Sequence, residues 1–173
     1  MPVTARSPLG RLPEFEGEPV TPIPPLAGTT IAVLDNSKHN FRALMDRVRV
    51  SVDEIIPDIT WYYERKAGAF HPMADDIQQR ITDRADLVLT GSGDCGCTSW
   101  SCSDTVKFEK AGIPVVLFVT TPFVPLARQL TRGEGLEDAR IIEVAHPIGG
   151  LLPADLDDRA AEITDTVTKI LIG

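Results

Sequence analysis

The sequence predicts an α/β chain: a three-layer flavodoxin-like or Rossmann-like sandwich around a central five-stranded parallel sheet. Three observations predict it. Short runs of β-branched and apolar residues alternate strictly with segments of helical periodicity. The runs are apolar on both faces, as strands buried between two helical layers must be. Polar, glycine-bearing segments follow the carboxyl ends of the runs, where open parallel sheets place their ligands.

In chain order, 29–35 (TTIAVLD) is the first strand, followed by a helix over 40–56 with Phe41, Leu44, Met45, Val48 and Val52 on one face. Residues 58–64 (DITWYYE) form the second strand, and 73–85 a helix that buries Ile77 and Ile81. The third strand is 85–91, and a short helix over 103–112 closes at Gly112 with Pro114 just beyond. The fourth strand is 113–120, the next helix 123–133, the fifth strand 139–145 and the closing helix 154–171. A strand order of 2-1-3-4-5 with right-handed crossovers is expected. Residues 1–28 hold seven prolines and read as an extended arm ahead of a single domain over 29–173.

Composition narrows the function. The 173-residue chain carries a net charge of −8 and no Lys/Arg run, which argues against nucleic acid and anionic membranes as partners. The longest apolar runs are too short to span a bilayer, and the first residues lack the apolar core of a secretory signal. A cytoplasmic location with reduced thiols is expected. The arm makes a homo- or hetero-oligomer plausible as the working state.

All three cysteines, Cys95, Cys97 and Cys102, fall within GSGDCGCTSWSCSD after the third strand. A thiol in a glycine-rich strand-to-helix turn lies near a helix N-terminus, whose partial positive charge and free N–H groups favour thiolate. Cys95, deepest in the turn, is the candidate nucleophile, and Cys97 and Cys102 are candidates for a resolving thiol. Cys102, expected at the helix start, offers the less strained pairing; core packing is the alternative for it. Gly93, Gly96 and Thr98 belong to the same turn, where backbone N–H groups would support an oxyanion.

Asp35, Asn36, Lys38 and Asn40 after the first strand, and Thr121 after the fourth, are candidates for substrate binding. His146 after the fifth is a candidate proton carrier. Asp94 reads as a turn-stabilising residue. No cofactor is expected. The alternative is zinc or iron held by Cys95, Cys97 and Cys102, although C-x-C-x4-C is not the usual paired spacing of structural zinc.

The run GSGDCGCTSWSCSDTVKFEKAGIPVV resembles the UGSC family, whose name records a selenocysteine-or-cysteine–Gly–Ser–Cys motif. Gly91, Gly93, Asp94, Cys95, Gly96, Asp104, Glu109, Gly112 and Pro114 fit its frame, as do DNSKHN and the His146, Pro147, Gly149 segment. Read without a gap, Cys97 stands at the serine position of the motif and Thr98 at its second cysteine. The likeness is read over most of 29–150, with the arm outside it, and extends distantly to the selenoprotein B components of glycine and betaine reductases. It implies a reactive chalcogen at position 95. The expected function is a cysteine-dependent enzyme of thiol redox or reductive-cleavage type, acting on a small polar or anionic substrate with a thiol reductant. The alternatives are a non-redox hydrolase or lyase using Cys95 and His146, and a non-catalytic subunit of a larger enzyme.

Overall fold

A computed structural model describes residue 17 and residues 19–172. Five strands alternate with five α-helices: β1 (Thr30–Asp35), α1 (Phe41–Asp53), β2 (Thr60–Arg65), α2 (Asp75–Thr82), β3 (Leu87–Gly93), α3 (Thr98–Lys110), β4 (Val115–Thr120), α4 (Val124–Gly133), β5 (Arg140–Val144) and α5 (Pro153–Ile172). A 3-10 turn, Thr121–Phe123, leads into α4. All pairings are parallel and the order is β2-β1-β3-β4-β5. The three-layer α/β sandwich is therefore the fold.

The layers follow from a side-chain period of two. Ile31, Val33, Leu87, Leu89, Val116, Phe118, Ile142 and Val144 pack on α1 and α5. The alternate residues Ala32, Leu34, Val88 and Val115 face α2 and Phe108 of α3. Leu117 and Val119 face Ala127 of α4 and Cys102. α1 buries the five residues its periodicity selected, and α2 buries Ile77 and Ile81. Gly112, with φ of +79°, follows α3, with Ile113 N–H reaching Phe108 O and Gly112 N–H reaching Glu109 O. That αL closure ends the helix where the sequence placed its end.

One boundary differs in a way that matters. α3 begins at Thr98, five residues before the expected 103. Polar Thr98, Ser99 and Ser101 read as loop, but Thr98 closes the turn through N–H and hydroxyl bonds to Cys95 O, at 3.0 and 2.7 Å. Cys102 accordingly lies in the second turn of α3, not at its start.

Most of the expected arm lies outside the described residues. Its described end packs on the domain: Leu26 is buried in the core, and Thr21 donates its amide to Glu109 Oε2 at 2.7 Å. Arg140 joins them, with Nη1 on Glu109 Oε1 and Nη2 on Thr21 O.

Between α3 and the segment after β2, Lys66 and Asp104 form an ion pair whose side chains are 0% and 1% exposed. Met73 N–H also reaches Asp104, at 3.4 Å. Asp104 thus ties both ends of the 66–73 loop to α3. Removing one partner leaves the other charge buried and unpaired. Lys66→Met or Asp104→Ala is therefore expected to cost about 3–5 kcal/mol in urea unfolding, and the apolar pair Lys66→Met/Asp104→Leu to recover most of it.

Candidate active site

The carboxyl ends of β1, β3, β4 and β5 bring together Lys38, the Cys95–Cys97 turn, Thr120 and His146. Why they meet begins with β3. Its register against β4 shifts between Gly91 and Gly93. A Cβ on Gly91 would come within 2.9 Å of both Phe118 O and the Phe41 ring, so only glycine fits that close passage. The Gly91–Ser92 and His146–Pro147 peptide bonds are both cis.

Cys95 sits beyond this passage, partly exposed, while Cys97 is buried. Their sulfurs are 3.1 Å apart and no disulfide joins them. Cys97 donates its amide to Cys95 Sγ at 3.4 Å, and Lys38 Nζ lies 3.5 Å from the same sulfur. Cys97 Sγ also lies 3.2 Å from Ser92 O.

Two thiols two residues apart thereby acquire opposite character. Burial pushes the Cys95 thiol up, but the Cys97 amide, the Cys97 thiol and the Lys38 ammonium together outweigh it and hold Cys95 below the ordinary thiol range. Burial, then the neighbouring Cys95 sulfur, push Cys97 up to about 11. Of the two thiols Cys95 is the one that ionises first, and the Cys97 amide donates to its sulfur while the Cys97 thiol is directed at Ser92 O.

Cys102 is elsewhere. Its thiol points toward Ala127 O at 3.8 Å, among Leu117 and Val119. Burial, then Asp104, push it up to about 12. The expected reach from Cys102 to Cys95 is not made, because the earlier start of α3 turns residue 102 toward α4. For the same reason the three thiols do not converge. Among the described residues, no group of three or more His, Cys, Asp or Glu is placed to hold a metal.

The segment after β1 is mostly committed to framework. Asn36, 1% exposed, donates to Ser92 O and Ser101 Oγ and accepts the Lys38 amide through Oδ1 at 3.1 Å. It therefore holds Lys38 to the same carbonyl that takes the Cys97 thiol. Asp35 accepts Ser37 N–H at 2.8 Å and faces Arg65; burial raises its carboxyl above the usual range, against those partners. Asn40, at φ +70°, precedes α1 and donates to Ile148 O and Leu151 O, both at 2.9 Å. Gly93 backs onto Thr98, where a Cβ would lie 3.1 Å from Oγ1. Gly96 stands beneath the exposed ring of Phe70 from the 66–73 loop. Thr121 is exposed and donates to Val144 O.

Two roles were not legible beforehand. Asp94 turns its carboxylate away from the thiol and into the β5–α5 loop. It accepts Ile148 N–H at 3.2 Å and Gly149 N–H at 2.9 Å, and meets His146 Nδ1 at 3.1 Å. Thr120, not Thr121, is the buried hydroxyl, and its Oγ1 lies 3.1 Å from both Gly93 O and His146 Nδ1. Its position as last residue of a buried strand is the one signal the sequence offered.

The fold and this rim define an α/β sandwich protein with a lysine-paired thiol at its β3–α3 turn. The chain belongs to the UGSC family, whose model matches residues 5–173. That span takes in the arm from residue 5 and corrects the narrower 29–150 reading. No curated protein gives a significant match. Solved structures are similar only loosely. A pilus assembly-related protein of Burkholderia pseudomallei is 16% identical, with 81% of this chain and 92% of that one covered at a TM-score of 0.41. A diflavin flavoprotein of Nostoc is 11% identical over 83% and 98%, at 0.37. The response regulator LqsR of Legionella pneumophila is 16% identical over 84% and 49%, at 0.41. No helix among the described residues is long and apolar enough to cross a membrane.

A depressed Cys95 predicts a specific pH profile. Thiolate, not thiol, is alkylated, so reactivity persists as pH falls until it passes the lowered value. Iodoacetamide modification followed by intact mass is expected to find one fast cysteine, with a midpoint below the usual value of about 8.5. Lys38→Met removes a cation from the sulfur and is expected to move that midpoint upward.

Proposed function

We propose that the protein is a cysteine-dependent enzyme of thiol redox type in which Cys95 attacks a small polar or anionic substrate and Cys97 resolves the adduct. The supporting observation is the Cys95 sulfur itself: partly exposed, with an amide, an ammonium and a second thiol within 3.5 Å. With a sulfur electrophile such as a small disulfide, the thiolate forms a mixed disulfide and expels one thiol. Cys97 then displaces the second, leaving a Cys95–Cys97 disulfide that an external thiol reductant restores. Lys38 supports the thiolate and attracts anionic substrates.

The hydrolase reading needs an imidazole against the nucleophile. Here His146 Nδ1 is engaged with Asp94 and Thr120, and a second thiol is what touches Cys95. That contact favours redox chemistry. Residue 97 supplies the resolving thiol in this reading, and Cys102 packs.

The test is reduction of a small disulfide in the presence of excess thiol. Cys95→Ser is expected to lose turnover entirely, and undiminished turnover would refute the assignment. In a single turnover without added thiol, Cys97→Ser is expected to retain the first step and accumulate a mixed disulfide visible by mass. Cys102→Ser is expected to turn over normally.

A further inference from the structure

His146 is the polar group of the rim that the thiol chemistry leaves unused, and its surroundings settle what it can do. Two groups meet Nδ1, Asp94 Oδ1 and Thr120 Oγ1, each at 3.1 Å. A carboxylate only accepts. The Thr120 hydroxyl has one proton, and it is directed to Gly93 O at 3.1 Å. Both partners therefore act as acceptors toward the ring, so Nδ1 carries the hydrogen. In the neutral imidazole Nε2 is then the bare nitrogen, and it forms no hydrogen bond among the described residues. The side chain is 40% exposed, with Phe123 beside it at 6.0 Å between ring centroids.

The ring is also tied to the nucleophile. Asp94, its anchor, directly precedes Cys95 in the chain. The loop that carries His146 reaches Lys38 through Gly149, where a Cβ would come to 3.1 Å from both Asp94 Oδ2 and Lys38 Cε. The Cys95–Lys38 pair and the Asp94–His146 pair thus share a wall at Gly149. No hydrogen bond joins His146 to either sulfur among the described residues, and the exposed part of the ring is open to solvent.

We propose that His146 is the proton-transfer group for the substrate's leaving atom, working through Nε2, with Asp94 and Thr120 as positioning residues that fix its tautomer. This rests on the reading of Cys95 as nucleophile and narrows the substrate to electrophiles whose leaving group is basic, such as dialkyl disulfides. Cys95 thiolate bonds to one sulfur of R–S–S–R′, the substrate S–S bond breaks, and the electron pair departs on R′S⁻. His146 takes up a proton from solvent at Nε2; the anion takes that proton and leaves as R′SH, returning the ring to its neutral Nδ1–H form. Cys97 then bonds to Cys95, and RS⁻ leaves with the proton that Cys97 gives up. Two electrons pass from the dithiol to the substrate, and a thiol reductant returns them.

Two reagents with different proton demands test this on the whole chain. Dithiodiethanol expels a basic alkyl thiolate, whereas dithiobis-nitrobenzoate expels an aryl thiolate that leaves without a proton. His146→Gln is expected to slow reaction of Cys95 with the first on the order of 10²-fold. Its rate with the second, and with iodoacetamide, is expected to stay near that of the unaltered protein. Thr120→Val is expected to produce a smaller loss of the same selective kind. Equal loss on both disulfides, or loss on neither, overturns the assignment. Long-range ¹H–¹⁵N spectra of labelled protein supply a second readout: neutral His146 is expected as the Nδ1–H tautomer, and the Nε2–H form would overturn it. If Cys95 alkylates like an ordinary thiol, the nucleophile reading fails and this one with it. If Cys95 stays reactive while the disulfide rates ignore residue 146, only the His146 assignment falls.

Discussion

The site depends on one carboxylate. Asp94 leaves the end of β3 and reaches across to the loop after β5, where it takes two backbone N–H groups and faces the His146 ring. A carboxyl group only 6% exposed is costly to bury unless its oxygens are occupied. Here the partners come from a segment more than fifty residues away in the chain. Satisfying Asp94 therefore fixes the β5–α5 loop against the thiol turn, and the Lys38 stem packs on the same Gly149.

The thiols illustrate how little geometry separates reagent from packing. Cys95, Cys97 and Cys102 lie within eight residues, yet each has a different environment. Cys95 keeps contact with solvent and gains a cation and an amide. Cys97, two residues on, is buried, with its thiol directed at Ser92 O and its sulfur against that of Cys95. Cys102, one helical turn further, is an apolar contact for α4. Desolvation acts on all three, and only at Cys95 do neighbouring positive groups outweigh it.

Much of the fold was legible because the signal was local. The five apolar runs and the spacing of Phe41, Leu44, Met45, Val48 and Val52 specify which faces are buried, and strict strand–helix alternation restricts the topology. The start of α3 was not legible, since serine and threonine compete with the backbone and read as loop until Thr98 bonds Cys95 O. That single shift of a helix start carried Cys102 away from the position expected of it. Asn36 and Asn40 were visible as polar residues at the right rim. That they serve as struts between loops follows only from the distant carbonyls they reach. Lys66 and Asp104 gave no sign of pairing, because 38 residues separate them.

The sequence alone marked the strands and the helix faces, led to the expected strand order that the structure has, and offered residue 95 as the candidate centre of a polar rim. Each rests on periodicity or on residues adjacent in the chain. Tertiary structure decided which thiol accompanies Cys95, which threonine and which nitrogen of His146 are engaged, and that a lysine is the cation at the sulfur. Those choices depend on angstrom-scale approaches between separate strand ends, and no spacing along the chain encodes them.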